Sequence, residues 1–374
     1  MTRPGPHPPA SIRSVPSVDS SLAGRAARLH RSSLVIDTHI DTATHLLYRD
    51  PDFGKRLKEG HVDIPRMREG GVGAAFFAVW IDEVYDEEAA FKHAVRGIDA
   101  IHRTVEKHQD DLALALNAED IERARAAGKI AVLISIEGGR AIADDRACLR
   151  ALHRLGVRSV TLAWYRSTNW CDSHNDSRHG GLTPFGKDVV REMNRLGVLV
   201  DISHVSDRTF WDVLEVSEKP VFASHSCCRA LCEHTRNMTD EMVRALAAKG
   251  GVMNMTFVSG FVAGPPASDF PPPVIPPREK LRDPFDYIAW PSPEPGPPFE
   301  ALMAQFSHAL ALAGPDHVGI GSDYDGTTQT PQGVEDISKL PAVTEGLLAA
   351  GHSEATVRKV LGENNLRLFR ETLK

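Results

Sequence analysis

The sequence contains no apolar run approaching the roughly 20 residues that span a bilayer as a helix. It has no long basic run either, and its formal net charge is −7 with histidine counted as neutral. A membrane-spanning helix is therefore not expected, and neither nucleic acid nor an anionic membrane is favoured as a partner. Cysteine is scarce: Cys148, Cys171, Cys227, Cys228 and Cys232 are odd in number and include no CxxC pair. That argues against a disulfide framework and makes a thiolate cluster a weak reading, so reduced thiols in a cytoplasmic protein are expected. The N-terminal stretch "MTRPGPHPPASIRSVPSVDSS" lacks the apolar core of a signal peptide. Its proline and serine predict a disordered lead-in over residues 1–22.

What is present suits one large folded unit, here placed at residues 23–374. The chain has 374 residues, 42% of them apolar and 25% charged, an ordinary globular composition. Short runs rich in Val, Ile, Ala and Phe recur at 34–39, 72–80, 130–139, 157–164, 197–204, 219–226, 250–258 and 317–326. Near-continuous apolar strands of this kind belong to parallel sheets buried on both faces. Helical patterns separate most of them. "TPFGKDVVREMNRLG", with Thr before the first turn and Gly after the last, is typical. Eight strands alternating with helices predict an α/β fold, the (β/α)₈ TIM-like barrel. A doubly wound open sheet is the competing architecture, and it would gather ligand groups at one switch point. The Pro-rich stretch 263–299 interrupts the rhythm between the seventh and eighth strands. It reads as a solvated insertion or as a lid over the barrel mouth.

The chemistry sits at the strand ends. "VIDTHID" (35–41) places Asp37, His39 and Asp41 at alternate positions after an apolar run, hence on one face if the strand continues. Glu137 closes the third strand just before Gly138 and Gly139, His204 the fifth, His225 the sixth, and Asp323 the eighth, with Asp325 two residues on. Each has a bland reading. A strand-end histidine is often a hydrogen-bonded structural residue, the Gly pair is turn chemistry, and an Asp of "GSDYDG" can cap the next element. In a barrel, however, these ends converge on one mouth. Histidines and carboxylates aimed at one volume are zinc ligands, and like charges so close call for a cation. Sharing Glu137 gives two Zn²⁺ per chain: one on His39, Asp41 and Glu137, the other on Glu137, His204 and His225.

"DTHID", "IEGG", "LTPFGKDVVREMNRLGVLVDISHVS", "FASHS", "TRNMTDEMV" and "HVGIGSDYDG" resemble the membrane (renal) dipeptidase family of zinc peptidases over about residues 30–372. The resemblance implies a (β/α)₈ barrel with a binuclear zinc site that hydrolyses dipeptides, some with a C-terminal D-residue. By motif, it implies His39 and Asp41 as the first ligand pair and Glu137 as the bridging carboxylate. His204 and His225 would ligate the second metal, Asp323 would handle the proton, and Arg236 would hold the substrate carboxylate. A hydroxide bridging the ions would attack the amide, with Asp323 as base and then acid. One departure stands out. Where the family usually carries a histidine at the end of the fourth strand, this sequence has Trp164 in "TLAWYRSTNW". Trp164 either packs aside, leaving His174 or His179 to reach in, or walls the pocket and shifts substrate choice. The alternatives are a metal amidohydrolase acting on an N-acyl amino acid and a non-catalytic binding barrel. A homodimer is expected only because dimers are common among soluble enzymes.

Overall fold

The computed structural model describes residues 21–264 and 294–374. Most of the N-terminal lead-in and of the Pro-rich stretch, with its lid reading, therefore lies outside the described residues. The helix Leu22–Ser32 starts one residue before the expected boundary, capped by the Ser21 hydroxyl, which accepts from Gly24 N at 3.1 Å.

The strands are β1 (Val35–Ile40), β2 (Val72–Trp80), β3 (Leu112–Leu114), β4 (Ile130–Glu137), β5 (Val157–Thr161), β6 (Leu199–Asp201), β7 (Phe222–Ser226), β8 (Val252–Met255) and β9 (Val318–Ile320). They run in the order β2-β1-β9-β8-β7-β6-β5-β4, all parallel, and β2 then pairs with β4 from Ala74↔Ala131 to Trp80↔Glu137. That last pairing closes the ring and excludes the open sheet. β3 is additional to the eight expected strands. It pairs with the start of β4 at Ile130 to Val132, and β5 takes over from Ile134.

Helices fill the connections where capping and apolar spacing put them. Pro184–Leu196 begins with the Thr183 hydroxyl accepting from Gly186 N and stops at Gly197, whose φ of 75° few residues other than glycine adopt readily. Inside the barrel, Phe76 of β2 and Phe222 of β7 are not neighbours in the ring, yet their rings lie 6.4 Å apart. They meet across the interior. Phe369 of the C-terminal helix Asn364–Thr372 packs edge-on against Phe76 at 5.5 Å. Asn364 on the same helix donates to the carbonyl of Val318, the first residue of β9. The N-terminal end of the barrel is thus plugged by the chain's own last helix, and chemistry is left to the opposite mouth. Among the described residues no helix is long and apolar enough to cross a membrane.

Candidate metal centre

Six of the residues singled out above, His39, Asp41, Glu137, His204, His225 and Asp323, meet at that mouth. Asp37 lies behind them, its Oδ1 accepting from His39 N at 3.1 Å and Ser322 N at 3.0 Å. From His39 Nε2 it is 3.4 Å to Asp41 Oδ2, 3.6 Å to Glu137 Oε2 and 3.9 Å to Asp323 Oδ1. The other oxygen of Glu137, Oε1, lies 2.9 Å from His204 Nε2 and 3.3 Å from His225 Nε2. Glu137 therefore turns one carboxylate oxygen to each of two ligand sets. The sets are His39–Asp41–Glu137 and Glu137–His204–His225, each with its ligand atoms mutually within 4.8 Å. A third set was not anticipated: His39, His225 and Asp323 also meet that distance, so Asp323 stands within ligand reach as well.

The donor set fits divalent ions. His39 Nε2 and Asp41 Oδ1 are buried and have no hydrogen-bond partner among the described residues, an arrangement that is costly unless something else coordinates them. Asp41 occupies the N-cap position of the helix Thr42–Arg49 but makes no side-chain cap bond. Its carboxylate is left for the site.

Burial and charge divide these groups. Burial works against a charge on His39, but the Glu137 and Asp41 carboxylates beside it outweigh that and hold the imidazole well above the ordinary histidine range. Burial would raise Glu137, yet the charge of His39 and the neighbouring His225 pull it below the usual carboxylate range. Asp323 goes the other way: burial, then the charge of Asp41, push it well above that range. His204 and His225 are driven well below the histidine range, by burial first and then by neighbouring cationic groups including Arg236 and His39. Both imidazoles are therefore neutral near pH 7, the form that ligates a metal.

The backbone is shaped to the same end. His204, Asp323 and Asp325 all have left-handed conformations, with φ of 66°, 67° and 68°. Such positions cost non-glycine residues on the order of 1–3 kcal/mol and persist where surrounding structure enforces them. Asp323 N donates to the His39 carbonyl at 3.0 Å, and Gly326 N donates back to the Asp323 carbonyl at 3.1 Å. A Cβ at Gly326 would collide with the carboxylates of both Asp41 and Asp323, so the second glycine-demanding step of "GSDYDG" is a close approach to the site. Asp325 is committed elsewhere. It accepts from Thr42 Oγ1 at 2.7 Å and from His61 N at 2.5 Å, while its own N donates to His61 Nδ1 at 2.9 Å.

Arg236 is buried beside the centre, donating to the His225 carbonyl at 2.6 Å and to Ser226 Oγ at 2.8 Å. Among the described residues its Nε has no partner, and no carboxylate oxygen lies within ion-pair distance of it. Trp164 lies three residues past the end of β5, half-buried, edge-on to Trp80 at 4.9 Å and with its ring 6.2 Å from that of His204. The two downstream histidines part company. The His174 ring comes within 5.8 Å of His204, with Nδ1 against Thr235 Oγ1 at 3.0 Å. His179 is exposed and turns into its own loop, Nε2 on the Thr168 carbonyl at 3.1 Å.

A profile of the membrane dipeptidase family (peptidase family M19) matches residues 23–374. The chain belongs to this family. It is 33% identical over 365 residues to human Dipeptidase 3, an alignment covering 94% of this chain and 68% of that protein. Its fold superposes on a crystal structure described as the dipeptidase AC, a metallopeptidase, with a TM-score of 0.78 and 27% identity, covering 91% of this chain and 99% of the other. A metallopeptidase from Rhodobacter sphaeroides, liganded with a phosphinate mimic of the dipeptide L-Ala-D-Ala, matches with a TM-score of 0.75 and 25% identity over 91% and 99% of the two chains. As a member of this family, the protein is a metallo-dipeptidase on a TIM barrel.

One feature of this dipeptidase's site escapes a reading by motif, and such a reading leaves open the choice between His174 and His179. Asp201 lies behind the ligands rather than among them, although its position three residues before His204 in "VDISH" is visible in the sequence. The approach of His174 depends on a loop whose path no periodicity announces.

Proposed function

We propose that the protein is a zinc-dependent dipeptidase that binds two ions through a shared Glu137 and accepts dipeptides with a C-terminal D-residue. The observation that carries this reading is the division of Glu137's two oxygens between two sets of buried ligands. Imidazole nitrogen and carboxylate oxygen are donors that zinc takes, and neither set is closed by protein alone, as a catalytic centre requires. Bound there, the ions would polarise the scissile carbonyl and lower the pKa of water to near neutrality. Asp323, raised by burial, would take the proton of the attacking water at its carboxylate and pass it to the leaving amine nitrogen. Arg236, buried with no carboxylate partner among the described residues, would hold the substrate's C-terminal carboxylate. The phosphinate mimic of L-Ala-D-Ala bound to a 25% identical neighbour supports the D-residue part of the reading. Elemental analysis for zinc, with assays across L-L and L-D dipeptides and N-acyl amino acids, tests it. A zinc-loaded protein that cleaves only N-acyl amino acids would replace it.

The carboxylate clamp makes its own prediction. Arg236→Ala is expected to raise KM for a dipeptide by roughly 10- to 100-fold, the worth of a charge-assisted hydrogen bond, and to change KM for the amidated dipeptide little. Arg236→Lys keeps the charge without the fork and should fall between. An equal effect on both substrates would make Arg236 a brace for the end of β7, to which both of its hydrogen bonds go.

Trp164 and His174 share the wall above His204, one apolar and one polar. Trp164 narrows this side, and His174 is the neighbour able to offer a hydrogen bond there. Trp164→His is expected to raise turnover of small dipeptides relative to those with bulky apolar side chains. Unchanged kcat/KM ratios across a side-chain panel would remove Trp164 from substrate selection.

A further inference from the structure

Asp201 ends β6 with 1% of its surface exposed, and among the described residues its carboxylate makes no hydrogen bond to a residue of the centre. Its carboxylate is saturated with donors. Oδ1 accepts from Ser203 N at 3.0 Å and Ser224 N at 2.9 Å; Oδ2 accepts from Thr161 Oγ1 at 2.5 Å and Ser224 Oγ at 2.6 Å. The donors come from β5, from the residues after β6 and from β7. No cationic side chain lies within ion-pair distance of Asp201 among the described residues, so these hydrogen bonds alone satisfy it.

The chain of donors has a direction. An ionised carboxylate only accepts, and a short hydroxyl-to-carboxylate bond is about twice as strong as a neutral one. The Ser224 proton is therefore directed at Asp201, which leaves the Ser224 oxygen as an acceptor. Two groups face it, Ser203 Oγ at 3.2 Å and, closer, His225 Nδ1 at 2.8 Å, and the hydrogen bond to the imidazole needs its proton on the nitrogen. That nitrogen must then carry a proton, and a neutral imidazole protonated on Nδ1 has a bare lone pair on Nε2. It is Nε2 that faces Glu137 and His204. His204 has no such support among the described residues: its Nδ1 is buried without a hydrogen-bond partner there.

We infer that Asp201 and Ser224 are positioning residues for the metal centre: Asp201, acting through the Ser224 hydroxyl, fixes His225 as the Nδ1–H tautomer and presents its bare Nε2 to an ion. The affinity part of this inference rests on the reading of Glu137, His204 and His225 as ligands; the tautomer part does not. Thr161 and the two backbone N–H groups hold the Asp201 carboxylate in place as an acceptor 2.6 Å from Ser224 Oγ, nearer than Ser203 Oγ at 3.2 Å, so the Ser224 proton goes to Asp201. Supports of this kind are worth about 10- to 100-fold in metal affinity.

Two measurements on the full chain test it. In metal-free, ¹⁵N-labelled protein, with His225 assigned by its loss in His225→Gln, the ring should carry its proton on Nδ1. Ser224→Ala should abolish that preference, and so should Asp201→Asn, which keeps the shape and Oδ1 but removes the charge. In zinc competition titrations, Ser224→Ala should weaken by about 10- to 100-fold the ion that His225→Ala loses, leave the other unchanged, and be rescued by Ser224→Thr. A wild-type His225 protonated on Nε2 overturns the inference whatever the metal count. So does a Ser224→Ala protein that binds both ions as wild type does, or one that weakens both equally, as a merely structural defect would. A wild type that binds a single ion overturns the two-ion reading instead and leaves the tautomer to decide the relay.

Discussion

Glu137→Gln is expected to strip both ions from the protein at once and to abolish dipeptide hydrolysis. Glutamine has the shape of glutamate but only one oxygen, and that oxygen carries no full charge. Whichever way the amide turns, one ligand set keeps a weak neutral oxygen and the other faces an NH₂ group that cannot ligate. In the native arrangement each set receives one of the two oxygens, Oε2 at 3.6 Å from His39 and Oε1 at 2.9 Å from His204. Loss of a residue that merely supports a ligand costs about 10- to 100-fold in affinity, so loss of a direct and shared ligand should exceed that at both positions. His225→Ala provides the contrast, because it removes a ligand from the second set and leaves His39, Asp41 and Glu137 in place. Zinc per chain after dialysis reads the difference. Thermal stability reads it independently: an ion present at about 100 times its Kd stabilises the fold by about 2.7 kcal/mol, and that increment should disappear in Glu137→Gln. A Glu137→Gln protein that holds one ion as tightly as wild type would mean that Glu137 serves a single site.

The elements that could be read from sequence share one property, a signal that is local. The barrel strands announce themselves as apolar runs because both faces of each are buried, and the residues that end them follow from where the runs stop. β3 could not be found this way. Leu112–Leu114 is too short to show a period, and it exists because β4 extends beyond the start of β5 and leaves an edge to pair. The end of β5 was misjudged for a related reason. The apolar pattern continues to Trp164, but pairing with β6 stops at Thr161↔Asp201, so Trp164 stands on the loop and not on the strand. At the site, residue types and spacing were enough to gather His39, Asp41, Glu137, His204, His225 and Asp323. They could not disclose which oxygen of Glu137 faces which histidine, nor the left-handed backbone of His204, Asp323 and Asp325. Those depend on contacts between distant segments, such as Asp323 N on the His39 carbonyl. Asp201 was passed over because a buried carboxylate behind a ligand has no signature of its own; its meaning lies in Ser224, 23 residues away.

Asp323→Asn should leave the barrel and its zinc in place while kcat falls by about 10²-fold or more, the usual scale for loss of a general acid–base group. The substitution is isosteric, and the turn that holds position 323 relies on backbone groups, N to the His39 carbonyl and O from Gly326 N, which asparagine retains. What it removes is the titration. Burial and the neighbouring Asp41 raise the carboxyl, so Asp323 is the member of the cluster that readily holds a proton, while Glu137 is held ionised. The sign of the pH dependence follows. To accept a proton from water, Asp323 must first ionise, so wild-type activity rises with pH through its pKa, and that acidic limb should be absent from the residual activity of Asp323→Asn. Metal content has to be measured on the same sample, since Asp323 Oδ1 also lies 3.9 Å from His39 Nε2 and belongs to a third possible ligand set. Loss of zinc together with activity would make Asp323 a ligand; retained zinc with a flat acidic limb makes it the proton carrier. Asp325 is not available as a substitute, because both of its oxygens already accept, one from Thr42 Oγ1 and one from His61 N. If Asp323→Asn keeps wild-type kcat and the same acidic limb, the proton is carried by neither aspartate of this turn.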